Sequence, residues 1–432
     1  MGRRCSPSWK RARRPADNEP MDALASDSVM SKFHALADVR RQGDQVSLAS
    51  LAQVGDVARY WSGNIAQFMP TALLPRRVPA MPLREMPDER IGRLNASTAL
   101  GELALDDYLG HPEGRTQGFI VVHKGCVAYE AYPGMRAEDP HLWASNAKPM
   151  AGLLIELLID DGCIDEQTPM GHYVAEFRDT AWADISVRDV LDMTPGLDTE
   201  ENDTTRADPG SLAMRAFRAE FGETDPATGE VQKLLDVLRS ARRVRAPGLQ
   251  FEYGSPVTQA LVLLAEAVTG RSWAELFDER VWSAMGADGE LQIHLSPDRI
   301  ALVHGLVSSR LRDMARFGLL YTPSWHCTAT RCVVSPGMLA RIRTGLRSHT
   351  FFMRGYDGAV FTERVDAPIV CNSRQWDAVF GDGDLLKTGF MGQCLYVSPL
   401  RDLVICGVST NPDNGASLLR YLRPLATSGL FD

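Results

Sequence analysis

The sequence predicts an α+β fold: a mostly antiparallel sheet flanked by helices, with a helical block inserted between its two halves. Three patterns carry this. A hairpin signature stands at 118–132, a second at 392–411, and helical periodicity fills most of the stretch between them. A sheet assembled from both ends of the chain follows. It gives a sheet domain over 36–150 with 290–432, a helical domain over 151–289, and a disordered N-terminal arm over 1–35.

Taken in order, the arm opens with an Arg- and Lys-rich run, Met1 to Arg14, that no apolar h-region follows. A secretory signal needs such a core of roughly 7–15 residues. Met21 and Met30 offer alternative starts. Residues 36–110 read as helices and loops, with prolines clustered near 70–90. In GFIVVHKGCVAYEAY (118–132), two apolar runs flank Lys124-Gly125, a hairpin pattern. LWASNAKPMAGLLIELLIDDG follows; from Met150 its apolar residues recur at helical spacing and stop near Gly162. Pro149 suits a first helical turn. Residues 164–289 read as mainly helical, including VTQALVLLAEAVTG, and contain an acidic run, DTEENDTTRAD (198–208). Such runs are commonly solvated loops. GQCLYVSP and LVICGVSTN then flank a turn at Leu400–Asp402, and a last helix covers about 414–427.

Composition narrows the function. The chain has 432 residues, 44% hydrophobic and 23% charged, as soluble globular proteins do. A net charge of -9 argues against nucleic acid as a partner. No run approaches the roughly 20 apolar residues of a membrane span, so a cytoplasmic protein without a membrane partner is expected. The eight cysteines are scattered, which predicts free thiols rather than a disulfide framework. His326, Cys327 and Cys332 lie close together but lack a second ligand pair, so no metal is assigned. Only six of the 46 basic residues are Lys, at 10, 32, 124, 148, 233 and 387. Lys, unlike Arg, can lose its proton when buried, so each position matters.

Three short motifs carry chemistry. Ser145-Asn146-Ala147-Lys148 is the chain's one S-x-x-K. Chance gives roughly 0.4 such matches, so its placement at a helix start is what counts. There the hydroxyl meets the positive end of the helix, and a lysine one turn on can reach it. Tyr253-Gly254-Ser255 puts a phenol before a helix; beside a cationic lysine its pKa is expected to fall, suiting it to acid–base work. Lys387-Thr388-Gly389 has a chance frequency of only about 0.02 to 0.03. It would supply positive potential, a hydroxyl and close backbone approach on a strand facing the site.

In this order the motifs resemble the serine β-lactamase and penicillin-binding superfamily, with its β-lactamase/DD-peptidase-like fold. The class C-like branch, with carboxylesterases and 6-aminohexanoate-dimer hydrolases, is the most similar. Segments such as ISVRDVLDMTPGLD and GLVSSRLRDMARFG extend the resemblance over about 118–428. It implies that Ser145 is a nucleophile forming an acyl-enzyme and that Lys148 and Tyr253 share the base role. It implies that Ser255 supports the network in place of the usual Asn, and that Lys387 belongs to the catalytic set. Thr388, Gly389 and Phe390 would bind substrate, with the backbone N–H groups of Ser145 and Phe390 forming the oxyanion hole. Ser255 weakens the case for β-lactam turnover; a Ser there occurs in the nylon-oligomer hydrolases, which often carry His in place of Lys387.

The function expected is therefore hydrolysis of small esters or amides with no cofactor. An acyltransferase using the same acyl-enzyme and a non-catalytic binding protein are the alternatives; oligomeric state is not set by the sequence. Trp143, Tyr173 and Trp376 are candidate pocket walls, although core packing is the commoner role for such residues. The acidic run, particularly Asp198 to Asp203, is expected to border the site and favour substrates with a cationic amine.

Overall fold

The computed structural model describes residues 56–76, 79–411 and 416–431. The expected arm over 1–35 lies outside them. Fourteen strands occur among the described residues: β1 (Thr71–Leu74), β2 (Arg84–Glu85), β3 (Asn95–Thr98), β4 (Gly101–Ala104), β5 (Thr116–His123), β6 (Cys126–Ala131), β7 (His141–Leu142), β8 (Leu291–His294), β9 (Val307–Ser309), β10 (Ile369–Ser373), β11 (Trp376–Phe380), β12 (Leu385–Gly389), β13 (Gln393–Ser398) and β14 (Leu403–Ser409). Eight form the main sheet, in the order β10-β11-β12-β13-β14-β5-β6-β2. Every pairing in it is antiparallel except β2 with β6. A four-stranded sheet, β1-β8-β9-β7, and the β3-β4 hairpin complete the strands.

The main sheet joins both ends of the chain where β14 pairs β5, with Leu403 opposite His123. Both strands are almost wholly buried, which their uninterrupted apolar runs require. The helices Leu311–Leu319 and Ala416–Ala426 pack against them. Gly318 makes the first contact close: a Cβ there would stand 2.5 Å from Val404 Cγ1. The Lys124-Gly125 turn between β5 and β6 has φ of 49° and 72°, the left-handed pair that a two-residue hairpin turn needs.

Two buried helices, Lys148–Asp160 and Ser255–Thr269, pack against each other. Each begins at a residue of a sequence motif. Glu156 anchors the first helix through Arg374 at 2.6 Å and Arg341 at 2.8 Å. The described elements over 164–289 are helices and turns without a strand, apart from isolated bridges.

Two expectations need correction. Residues 36–110 contain β1 to β4 among their described part, not helices and loops alone. These strands run two to four residues, too short to show an alternating pattern. The acidic run is not a plain loop: Asn202 caps a helix over Asp203–Ala207, with Thr205 closing a capping box. No helix among the described residues is long and apolar enough to cross a membrane.

Candidate active site

β7 delivers the chain to the S-x-x-K segment. Trp143 is pinned by its backbone N–H to Val307 O and by its indole N–H to Ser309 Oγ, both at 2.8 Å. Ala144 then turns through a left-handed φ of 47°, costing on the order of 1 kcal/mol. A 3-10 turn over Ala144–Ala147 leads into the Lys148 helix, leaving Ser145 half-buried and Lys148 fully buried. The Asn146 amide, oriented by its partners, donates to Lys387 O and accepts from Cys394 N–H, each at 2.9 Å. The Ser145–Lys148 turn is thus tied to β12 and β13.

Lys148 Nζ has three polar neighbours: Ser145 Oγ at 3.0 Å, Ser255 Oγ at 3.1 Å and His304 O at 2.7 Å. A neutral amine has two N–H donors and one lone pair. The carbonyl takes one N–H and Ser255 Oγ can take the other, leaving the lone pair for the Ser145 hydroxyl proton. The electrostatics favour that state. Burial pulls the Lys148 pKa down to about 7; Glu201 opposes the shift and Lys387 reinforces it.

Tyr253 lies beside both lysines, its ring centroid 5.0 Å from Lys148 Nζ and 4.7 Å from Lys387 Nζ. Its hydroxyl is 3.5 Å from Lys387 Nζ. The expected lowering of its pKa is reversed. Burial, then Asp377 and Glu201, push the phenol well above its ordinary value, although hydrogen bonding to Ser145 pulls the other way. The phenol is therefore held neutral.

β12 brings in the Lys-Thr-Gly triplet. Lys387 is fully buried and forms an ion pair with Asp377 of β11. Burial lowers its pKa and Asp377 opposes the shift. Asp377 Oδ2 also accepts from Thr388 N–H and Thr388 Oγ1–H, both at 2.9 Å. Gly389 permits close approach: a Cβ there would stand 3.1 Å from Ser145 N. Phe390, 38% exposed, follows at the pocket edge.

All eight residues singled out from the sequence gather here. Five line one pocket of about 90 Å³: Ser145, Tyr253, Thr388, Gly389 and Phe390. Lys148, Ser255 and Lys387 stand behind them in the bonds just described. The aromatic wall candidates do not take part. Trp143 packs on Phe317 and Trp376 on Tyr321 in the core, while the Tyr173 hydroxyl accepts from Asp165 N–H. The bulk of the two tryptophans is better buried than placed at an opening. The walls come instead from the helix Tyr356–Val365, through Tyr356, Val360 and Phe361.

The acidic run reaches the pocket only in part. Asp198 pairs with Arg242, and Glu200 with Arg245. Glu201, Asn202, Asp203 and Arg206 line the pocket. Asp357 joins them from the Tyr356–Val365 helix; it accepts from Tyr253 N–H at 2.7 Å and forms no ion pair among the described residues. Burial drives its carboxyl well above the ordinary range. Sequence reasoning missed Asp357, Asp377 and the His304 carbonyl, and it included Glu201 only as part of the run expected to border the site. A lone Asp in the apolar strand WDAVF was the one readable signal among them. His326, Cys327 and Cys332 lie away from the pocket lining, and no three potential metal ligands gather among the described residues.

Residues 110–426 match the model of the family described as Beta-lactamase. A 6-aminohexanoate-dimer hydrolase of Paenarthrobacter ureafaciens is 29% identical over 358 residues, covering 82% of this chain and 86% of that one. A Bacillus anthracis protein provisionally named a 6-aminohexanoate-dimer hydrolase has a solved structure similar to this one, with a TM-score of 0.72 at 22% identity, over 85% of this chain and 92% of that one. EstCE1, described as a hydrolase with promiscuous acyltransferase activity, gives a TM-score of 0.53 at 17% identity, over 72% and 94%. At these identities the two structures speak for the fold.

Proposed function

The chain belongs to the beta-lactamase family, and from that premise we propose that it is a serine hydrolase cleaving small esters or amides through an acyl-enzyme on Ser145. The observation that carries this reading is the 3.0 Å approach of Lys148 Nζ, buried and brought to about 7, to Ser145 Oγ. A hydroxyl becomes a competent nucleophile when a positioned base takes its proton.

In the mechanism, Lys148 accepts the Ser145 proton as Oγ attacks the substrate carbonyl. The developing oxyanion is held by the backbone N–H groups of Ser145 and Phe390. Collapse of the tetrahedral adduct expels the alcohol or amine, which takes the proton from Lys148 by way of the neutral Tyr253 hydroxyl. Water then attacks the acyl-enzyme. Tyr253 relays its proton to Lys148, because a phenol with a raised pKa hands a proton on rather than keeping a negative charge. Lys387, held by Asp377, adds positive potential beside the phenol.

The relative's name and the pocket support a substrate class. The Paenarthrobacter protein is named for an amide dimer of an amino acid. A free volume of about 90 Å³ suits a slender acyl chain. Asp203 and Asp357 line the pocket together with Arg206 and Arg364; an ammonium on the acyl chain would draw the Asp357 carboxyl, raised by burial, into its charged form, so acyl groups carrying an ammonium are favoured. We take Asp357 as the anchor because Asp198 and Glu200 are already paired to arginines.

A p-nitrophenyl ester of a short acid tests the reading, with p-nitrophenol release and intact protein mass followed together. A burst with an acyl adduct, both abolished in Ser145→Ala, is expected. Equal reaction of the variant would overturn the assignment of Ser145.

A further inference from the structure

Glu201 is a buried carboxylate that no step above uses, yet it touches the machinery at several points. Its N–H donates to Tyr253 O at 2.7 Å. Its Oε1 accepts from Ser255 N–H, the first residue of the Ser255–Thr269 helix. The carboxylate therefore sits at the positive end of a 15-residue helix. Between the two contacts, Gly254 is pressed against the neighbouring backbone; a Cβ there would stand 2.3 Å from Thr199 O. The two backbones, 199–201 and 253–255, are thus locked together through Glu201. Its other oxygen faces Arg206 at 3.5 Å.

We propose that Glu201 is a positioning residue: it fixes Tyr253 and Ser255 against Lys148, and its negative charge sets the pH at which Lys148 becomes a free base. This rests on the serine-hydrolase reading above. The charges facing Lys148 are few enough to separate. Glu201 and Asp377 favour its protonated form, as does Glu220, which lies 3.0 Å from the His304 ring behind the carbonyl that Lys148 binds. Lys387 disfavours it. Glu201 comes first among the charged neighbours, and it contacts the Tyr253–Ser255 segment as well. Burial pushes its own carboxyl up, but Lys148 and Arg206 outweigh that and hold it below its usual range. It is therefore charged while Lys148 carries its proton. The benefit is a base that is not too weak: without the carboxylate, Lys148 would lose its proton at lower pH and pull less strongly on the Ser145 hydroxyl.

The test is the rate of Ser145 labelling by a small fluorophosphonate in the full chain, measured from about pH 5 to about pH 9. Wild type should label with a midpoint governed by Lys148. Glu201→Gln keeps an acceptor for Ser255 N–H and removes the charge; its midpoint should fall by about half a unit or more. Glu201→Asp keeps the charge but withdraws it from Ser255; it should slow labelling at every pH, with a midpoint closer to wild type than that of Glu201→Gln. An unmoved or raised midpoint in Glu201→Gln overturns the proposal. If that variant does not fold, wild-type rates and midpoint in Glu201→Asp overturn it instead. Wild-type protein that never labels at Ser145 counts against the hydrolase reading itself, a separate result.

Discussion

Lys148 and Lys387, both fully buried, lie 5.0 and 4.7 Å from the centroid of one ring, that of Tyr253. They differ in compensation. Lys387 is in contact with the carboxylate of Asp377, whereas Lys148 binds two hydroxyl oxygens and a carbonyl. A buried ammonium without a contacting carboxylate gives up its proton more readily. In the proposed mechanism the two lysines divide the work, one as base and one as positive charge beside the phenol.

Lys148→Met should abolish most activity and raise stability at neutral pH. A general base contributes about 10²–10⁴-fold in rate. Lys148 has its pKa lowered from 10.5 to about 7 in the folded chain. Between those values the unfolded chain binds the extra proton, so this lysine's contribution to stability improves as pH rises through the window, and its penalty is complete below it. The methionine should gain on the order of 1–4 kcal/mol near pH 7 and less near pH 10. Urea unfolding at both pH values measures this, and a variant less stable than wild type near pH 7 would contradict it.

Asp377→Ala leaves the Lys387 ammonium buried with no carboxylate and frees Thr388 N–H and Oγ1. A loss of about 3–5 kcal/mol is expected. Asp377→Ala combined with Lys387→Met should recover much of it, because the stranded charge is gone. A double-mutant cycle by thermal unfolding reads the coupling; additive losses would show that the pair does not act as one unit.

Asp357→Asn keeps an acceptor for Tyr253 N–H while removing the carboxyl that a bound ammonium would draw into its charged form. Its ratio of kcat/KM for an aminoacyl ester to that for the matched neutral acyl ester should drop about 10- to 100-fold relative to wild type. Steady-state kinetics on the two esters decide it. An unchanged ratio would exclude Asp357 as the ammonium anchor.

Sequence patterns found the parts of the site that depend on local spacing. Ser145 and Lys148 share one turn, and Lys387, Thr388 and Gly389 share one strand, so a few letters specify their relation. Glu201, Asp357, Asp377 and the His304 carbonyl act through contacts across the fold, and no local spacing encodes those. The pKa direction for Tyr253 failed for the same reason. A nearby lysine could be inferred, but the burial and the carboxylates of Asp377 and Glu201 that outweigh it could not. Both hairpins and the two central helices were readable because each is long and strongly patterned; β1 to β4 were not.

The pairing of β5 with β14 also bears on how the protein is made. His123 leaves the ribosome long before Leu403, its partner across the ladder. At elongation rates of about 5–20 residues per second, that edge of the β5–β6 hairpin waits on the order of tens of seconds for its neighbour. Its strand TQGFIVVH, with the apolar stretch FIVV, is an open edge throughout that interval. Yield of native protein during expression should therefore depend on synthesis temperature and chaperone supply more than on the stability of the finished fold.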